Sequence, residues 1–350
     1  MKKLTVSLNK SYDILIGKGL LLECGELIRN TVSSNKAFVI SDSNVFEIYG
    51  DAVIKNLQSA GFEVGSYCFK AGEQSKTFDT VCRMVNSMAA FKMTRSDVVI
   101  ALGGGVTGDM AGFAAAVYMR GIKFVQISTS LLSDIDSSVG GKTGCDLENG
   151  KNLVGAFHQP SLVIIDTNTL LTLPQRFIND GMAEAIKYGM IALPELFELI
   201  QNNELNDILD ELIYLCVDCK RKIVERDEFE MGERKLLNFG HTLGHAIEKF
   251  YNFEKYSHGE AVAIGMVMIT KAAENNGMSA VGTSDKLIKV LNKYSLPTHC
   301  DADISELLTI ARSDKKCSGK TIDIVVCSDV GTSKTVNIEI DKLGDLICPR

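Results

Sequence analysis

A chain of 350 residues has room for two domains, since a single core rarely grows past roughly 250 to 300 residues. With 45% apolar and 23% charged residues, a formal charge of −7 and no block of Lys or Arg, it reads as an ordinary globular protein without a nucleic-acid or membrane-surface footprint. The start lacks the apolar run of a signal peptide and no stretch is long enough to span a bilayer, so a cytoplasmic chain is expected, with its ten scattered cysteines reduced.

In chain order, alternation around Val6 and Asp13–Ile16 suggests an opening hairpin. Ala37–Ile40 is a buried strand, followed by Ser41-Asp42-Ser43-Asn44 and a helix over Asp51–Ala60. A strand over Phe62–Phe69, a helix over Asp79–Phe91 and a strand over Asp97–Leu102 lead into Gly103-Gly104-Gly105-Val106-Thr107-Gly108. A helix over Asp109–Met119 and strands over Phe124–Ile127 and Leu162–Ile165 complete the first half. Strands separated by helical patterns imply βαβ units and a mainly parallel sheet. After Pro174 the periodicity becomes helical through 180–200, 204–226, 234–251, 258–276 and 284–294, with a strand pair over Thr321–Val326 and Thr335–Ile340 near the end. The expected fold is an α/β N-terminal dinucleotide-binding domain with a parallel sheet over 1–172, and a mainly α-helical C-terminal metal-binding domain over 173–350.

Three of the five histidines fall within eighteen residues: His241, His245 and His258. On a helix, His241 and His245 at i and i+4 project from one face within reach of one divalent ion. Arg234, Asn238, His241, His245 and Glu248 follow one another at helical intervals, with Leu236, Leu237, Leu243, Ile247 and Phe250 on other faces. Glu184 and Lys187, three apart, form a surface ion pair on the ordinary account; alternatively Glu184 completes a His/His/Glu shell with open positions. Cys216 and Cys219 read as helix thiols near a core rather than as a zinc or redox pair.

Gly103-x-Gly105-x-x-Gly108, placed between a strand and a helix, has the context in which backbone N–H groups and a helix N-terminus approach a pyrophosphate. The acid usually found about twenty residues on is missing, since the next strand ends in Ser128-Thr129-Ser130. Asp42 is the better candidate for the adenosine ribose. Asp136 to Thr143 and Lys151-Asn152 form a second glycine-rich, lysine-bearing stretch without the spacing of a nucleoside-triphosphatase loop. Lys142, Lys151, Asn152, Arg234 and Asn238 together would supply the point charges and planar fork that a phosphate monoester needs.

Gly72-Glu73-Gln74-Ser75-Lys76, Gly103 to Asp109, Asp136 to Thr143, Lys151 to His158, Gly181 to Gly189, Leu237 to His245, His258 to Val262 and Asp314 to Lys316 together make the chain resemble the 3-dehydroquinate synthase family along nearly its whole length. The resemblance implies an active site between an NAD-binding and a metal-binding domain. It implies Glu184, His241 and His258 as ligands of Zn²⁺ or Co²⁺, with His245 turned toward substrate. It implies NAD held by Asp42, Glu73, Lys76, Gly104, Gly105, Asp109, Thr129 and Ser130, with Lys142 and Lys151 close by. Asp136, Lys142, Asn152, Lys187, Lys220, Arg234, Asn238, His245 and Lys316 would line the substrate pocket, with Arg120 nearby. Two departures stand out: Ser130 where relatives tend to have Thr, and Asp146 where they tend to have Asn. The implied substrate is 3-deoxy-arabino-heptulosonate 7-phosphate, transiently oxidised by NAD⁺, relieved of phosphate, re-reduced and closed by an intramolecular aldol step. A homodimer acting on this small sugar phosphate is expected, without nucleic acid or membrane. The alternatives are another sugar phosphate cyclase, or a metal- and NAD-dependent polyol dehydrogenase that would release NADH.

Overall fold

The computed structural model describes residues 1–148, 150–312, 317–318 (backbone only) and 321–347. Asp314 and Lys316 lie outside the described residues. The chain divides into two compact units, Met1–Pro174 with Lys220–Glu228, and Gln175–Cys219 with Phe229–Arg350.

The first unit is built on a seven-stranded sheet of β1 (Lys2–Val6), β2 (Tyr12–Gly17), β3 (Lys36–Asp42), β4 (Glu63–Phe69), β5 (Val98–Gly103), β6 (Lys123–Ser128) and β9 (Leu162–Asp166), in the order β1-β2-β9-β6-β5-β3-β4. The opening hairpin β1–β2 is antiparallel and every other pairing is parallel. Every residue of β5 is buried, as an unbroken Val-Val-Ile-Ala-Leu run requires of a strand covered on both faces. Period-two alternation divides the strands between two cores. Val39, Ile100, Val125, Ile127 and Ile164 pack with Ile28, Val53 and Leu57, while Phe38, Ile40, Val99, Ala101 and Phe124 pack with Val81, Met84, Met88, Met110 and Ala114. Each fully buried aliphatic side chain contributes about 1.5–3 kcal/mol, so this double core makes the sheet the rigid part of the unit.

From β3 the chain moves out to β4 at one edge and returns to β5 on the other side of β3, so the strand order reverses between β3 and β5. Such a reversal opens a crevice outside the carboxyl ends of the two strands. The helix after β5 begins at Gly105, four residues earlier than the sequence pattern suggests, and runs to Val117. Gly108 N–H already bonds Gly104 C=O at 3.0 Å, so the glycine loop is itself the first helical turn. The second glycine-rich stretch is an antiparallel hairpin of β7 (Lys142–Leu147) and β8 (Gly150–Phe157), not an irregular connection.

The second unit is mainly helical, with a small antiparallel sheet of β10 (Cys317–Ser318), β11 (Thr321–Asp329) and β12 (Thr332–Glu339). Two helices expected to be continuous are broken. The 180–200 pattern divides into Gln175–Ile191 and Pro194–Asn202, because Pro194 has no N–H to continue a helix and suits the first turn of the next. The 234–251 pattern divides into a 3₁₀ turn, Glu233–Asn238, and a helix, His241–Phe250. At Gly240, between them, φ is +77° and an added Cβ would lie 2.8 Å from Val262 C=O, so only glycine makes this turn. Arg234 and Asn238 therefore do not share one helical stripe with His241, contrary to expectation. Ile304–Arg312 is a further helix that the pattern did not reveal.

Candidate nucleotide and metal sites

At the reversal in the first unit, Asp42 ends β3, Gly104 and Gly105 follow β5, and Thr129 and Ser130 follow β6. The Asp42 carboxylate accepts from Asn44 N and Val45 N at 3.0 and 3.2 Å and from Thr107 Oγ1 at 3.3 Å, which fixes it beside the glycine loop. Thr129 N–H bonds Gly103 C=O at 3.2 Å, and the Ser130 hydroxyl lies 2.9 Å from Ser133 Oγ. A Cβ at Gly104 would sit 3.1 Å from Ser130 Oγ, and one at Gly105 would sit 3.0 Å from Ser137 Oγ. A methyl group would thus fill a cradle that here exposes backbone N–H groups at a helix N-terminus, and this fits a dinucleotide pyrophosphate.

Charged residues from three neighbouring segments join this floor. Lys76, buried, pairs with Asp109 at 2.7 Å, and Lys151 pairs with Glu73 at 3.4 Å. Burial works against the Lys76 charge, but Asp109, Glu73 and Asp146 outweigh it and raise the ammonium above the ordinary lysine range. Asp146 accepts from Asn152 N–H at 2.7 Å and clips the β7–β8 hairpin, and its own N–H bonds Lys76 C=O at 2.8 Å. Lys220 reaches Asp136 twice, at 2.6 Å to the C=O and 3.0 Å to Oδ1. The structure thus gathers Asp42, Glu73, Lys76, Gly104, Gly105, Asp109, Thr129, Ser130, Lys151 and Asn152 along one set of strand ends and the hairpin, and pairs Asp136 with Lys220. Lys142 is exposed at the start of the hairpin. Arg120 is exposed after the far end of the Gly105–Val117 helix, whose thirteen residues span about 20 Å, so within this unit it stands apart from the glycine loop.

In the second unit, Glu184, His241 and His258 each offer a ligand atom, all within 4.8 Å of one another. The Nε2 atoms of His241 and His258 are both 3.4 Å from Glu184 Oε1. Three separate helices supply them: Gln175–Ile191, His241–Phe250 and His258–Asn275. The Glu184 carboxylate is fully buried and pairs with Lys187, itself 1% exposed, so this is a core pair and not the surface pair that spacing alone suggested. Burial opposes a charge on His258, but Glu184 and Glu248 outweigh it and push the ring up to about 10. The point between these groups attracts a cation. Two imidazole nitrogens and one carboxylate oxygen are the donor set of zinc and cobalt sites that keep positions open.

His245 stands next to this set, with ring centroids 5.5 Å from His241 and 6.1 Å from His258, and with Glu248 and His258 it forms a second group of possible ligands. Arg234 is buried in the 3₁₀ turn, and Asn238 donates to Glu230 Oε1 at 2.7 Å. Three supporting carboxylates escaped the sequence reading as site residues: Glu230, Glu248 and Asp180. Asp180 Oδ1 accepts from Ser257 Oγ and Gly259 N–H, both at 2.6 Å, and so fixes the start of the helix that His258 opens. Only Glu248 carried a usable signal, its place seven residues after His241. Cys216 and Cys219 are free buried thiols on the Leu205–Arg226 helix.

Residues 66–180 match the family described as 3-dehydroquinate synthase N-terminal, and residues 181–317 the one described as 3-dehydroquinate synthase C-terminal. The 3-dehydroquinate synthase of Clostridium botulinum (strain Alaska E43 / Type E3) is 47% identical over 350 residues, covering 98% of this chain and 100% of that one. Among solved structures, 2-deoxy-scyllo-inosose synthase complexed with carbaglucose-6-phosphate, NAD⁺ and Co²⁺ is similar at a TM-score of 0.89 and 25% identity over 99% of each chain. The 2-epi-5-epi-valiolone synthase from Streptomyces hygroscopicus subsp. jinggangensis 5008, with NAD⁺ and Zn²⁺ bound, is similar at 0.87 and 26% over 98% of each. Matched in both halves and nearly half identical to a full-length member, the chain belongs to the 3-dehydroquinate synthase family.

Proposed function

We infer that the protein is a phosphate-eliminating carbon–oxygen lyase that converts 3-deoxy-D-arabino-heptulosonate 7-phosphate to 3-dehydroquinate and phosphate, in the shikimate route to chorismate and the aromatic amino acids. Family membership supports this reading, and the observation that carries it is the occurrence, in one chain, of the Glu184–His241–His258 donor set and the glycine cradle at a sheet reversal. When bound, NAD and a divalent Zn²⁺ or Co²⁺ ion supply reversible hydride transfer and Lewis acidity.

In this reading the chain's own groups divide the remaining work. Asp42, Gly104, Gly105, Thr129 and Ser130 orient the dinucleotide, with Glu73, Lys76 and Asp109 bracing it through the Lys76–Asp109 pair. Lys142, Lys151, Asn152 and Arg234 neutralise and orient the phosphate, which fixes the reacting carbons for transfer. Asp136, held by Lys220, and Asn238, held by Glu230, orient hydroxyl groups. Lys187 and His245 stand beside the metal donors, where Lys187 offsets substrate charge and His245 accepts or returns a proton. Lys316 and Arg120 are assigned to the substrate on family resemblance alone. We place the protein in the cytoplasm as a homodimer. No helix among the described residues is long and apolar enough to cross a membrane, and the eight described cysteines are free.

The test is to incubate the protein with the heptulosonate phosphate, NAD⁺ and zinc, and to follow phosphate and NADH absorbance together. Phosphate should be released without accumulation of NADH, because the hydride is returned in each turnover. Stoichiometric NADH would identify a dehydrogenase instead.

A further inference from the structure

Glu248 lies two helical turns after His241 on the His241–Phe250 helix, so it returns to the same face, and it is 3% exposed. Its Oε2 is 3.6 Å from Nδ1 of His258, whose Nε2 points to Glu184 Oε1 at 3.4 Å. His241 has the same two-sided arrangement: its Nε2 is 3.4 Å from Glu184 Oε1 and its Nδ1 is 3.0 Å from Phe239 C=O. Each ring therefore turns Nε2 to one common point and Nδ1 to an oxygen behind it, at hydrogen-bond distance for His241 and at an ion-pair distance for His258. For His241 the acceptor is a neutral backbone carbonyl, and for His258 it is a buried carboxylate.

We propose that Glu248 is a positioning residue for the metal centre: it accepts the Nδ1–H of His258, fixes the tautomer that leaves the Nε2 lone pair free for the ion, and adds its charge to that ring's basicity. This rests on the reading of Glu184, His241 and His258 as metal ligands. A histidine ligand is oriented and made more basic by the acceptor on its other nitrogen, and loss of such an acceptor typically costs about 10–100-fold in metal affinity. Direct ligation by Glu248, in the His245–Glu248–His258 group, is the competing arrangement. It would require Nδ1 of His258 to bind metal and would leave Glu184 out of the shell.

The test uses the full chain and zinc. Zinc affinity is measured by chelator competition for the unsubstituted protein, Glu248→Ala, Glu248→Gln and Glu184→Gln, and histidine ring signals are recorded on ¹⁵N-histidine-labelled, zinc-loaded protein. Glu248→Ala should weaken zinc about 10–100-fold, and Glu248→Gln, which keeps an oxygen acceptor without the charge, should weaken it less. Both should fall short of the loss in Glu184→Gln. The Nδ1–H signal of His258 should shift or broaden in Glu248→Ala while that of His241 stays in place, which a general loosening of the fold would not produce. If Glu248→Ala does not fold, the affinity and ring spectrum of Glu248→Gln decide alone. Unchanged zinc affinity and an unchanged His258 signal in the Glu248 variants would overturn the proposal, and so would a loss equal to that of Glu184→Gln. If the unsubstituted protein binds no zinc, the metal reading fails, a result distinct from either.

Discussion

The two units make their sites from different materials. In the first unit the candidate nucleotide cradle is largely backbone: three strand ends, a helix N-terminus and glycines whose missing side chains leave space. In the second the candidate metal centre is made of side chains drawn from three helices, with Asp180 and the Phe239 carbonyl bonded behind them and Glu248 3.6 Å from His258. A backbone site tolerates side-chain change but not an added Cβ or a lost brace. A side-chain site fails through any ligand, or through a shift of one helix against another. Substitutions confined to one unit should therefore damage one ligand and spare the other.

The largest effect is expected at the brace of the first unit. Lys76→Met leaves the half-buried Asp109 without its cation and takes a buried charge away from Glu73 and Asp146; removing one member of a fully buried pair costs about 3–5 kcal/mol, which is the upper limit here. Denaturant unfolding should show that loss, and calorimetry should show weaker NAD binding with zinc binding kept. Equal loss of zinc would break the division between the units.

The converse is Gly265→Ala. Its Cβ would lie 2.1 Å from Gly240 C=O and 2.9 Å from Gly244 N, both backbone, where the His258–Asn275 helix crosses the start of the His241–Phe250 helix. Overpacking of this kind costs about 1–3 kcal/mol, and it should spread His241 from His258 and weaken zinc while NAD titrates as before. A variant that binds zinc normally would show that the crossing does not set the ligand geometry.

An effect visible only against pH is expected at Asp134. It is fully buried in the π-helical turn Ser133–Ser137, and neither carboxyl oxygen has a hydrogen-bond partner among the described residues. Burial first, with the like charge of Asp166 adding, pushes it up to about 8. Between the ordinary carboxylate range and about pH 8, the folded state then holds a proton that the unfolded chain has released. That contribution to stability is complete at low pH and is lost as pH rises through this window, on the order of 1 kcal/mol per unit. Asp134→Asn should raise the melting temperature at pH 8 more than at pH 5. An equal shift at both would mean that the carboxyl is already ionised in the fold.

The sequence disclosed the two units unequally, for the same physical reason. Strand runs such as Val98–Leu102 and the strand–glycine–helix order are local, so the sheet and the glycine loop at its strand ends were legible, and Asp42, chosen because the acid after β6 is missing, does end β3 beside that loop. The metal centre depends on contacts that spacing does not encode. Taken alone, the i, i+4 pair His241 and His245 pointed to both as ligands. Glu184, 57 residues upstream, comes near only because its helix packs against the one that carries His258; the residues alone offered it as an alternative to a surface ion pair, and the family resemblance set it in place of His245. Gly240 was invisible as a break because the apolar periodicity runs through it, and so Arg234 and Asn238 were wrongly strung onto the helix. The β7–β8 hairpin was not visible in its glycine-rich sequence, where Gly144 and Gly155 let the strands approach so closely that a Cβ on Gly155 would lie 2.1 Å from Thr143 C=O.

The central claim is that the metal is held by ligands brought together across helices and not by the helical histidine pair. Zinc stoichiometry and affinity in His241→Ala and His245→Ala test it most directly. His241→Ala should lose bound zinc, by more than the roughly 100-fold upper end expected for a supporting residue, while His245→Ala should retain a full equivalent and lose turnover. Zinc lost from His245→Ala and kept by His241→Ala would contradict the account.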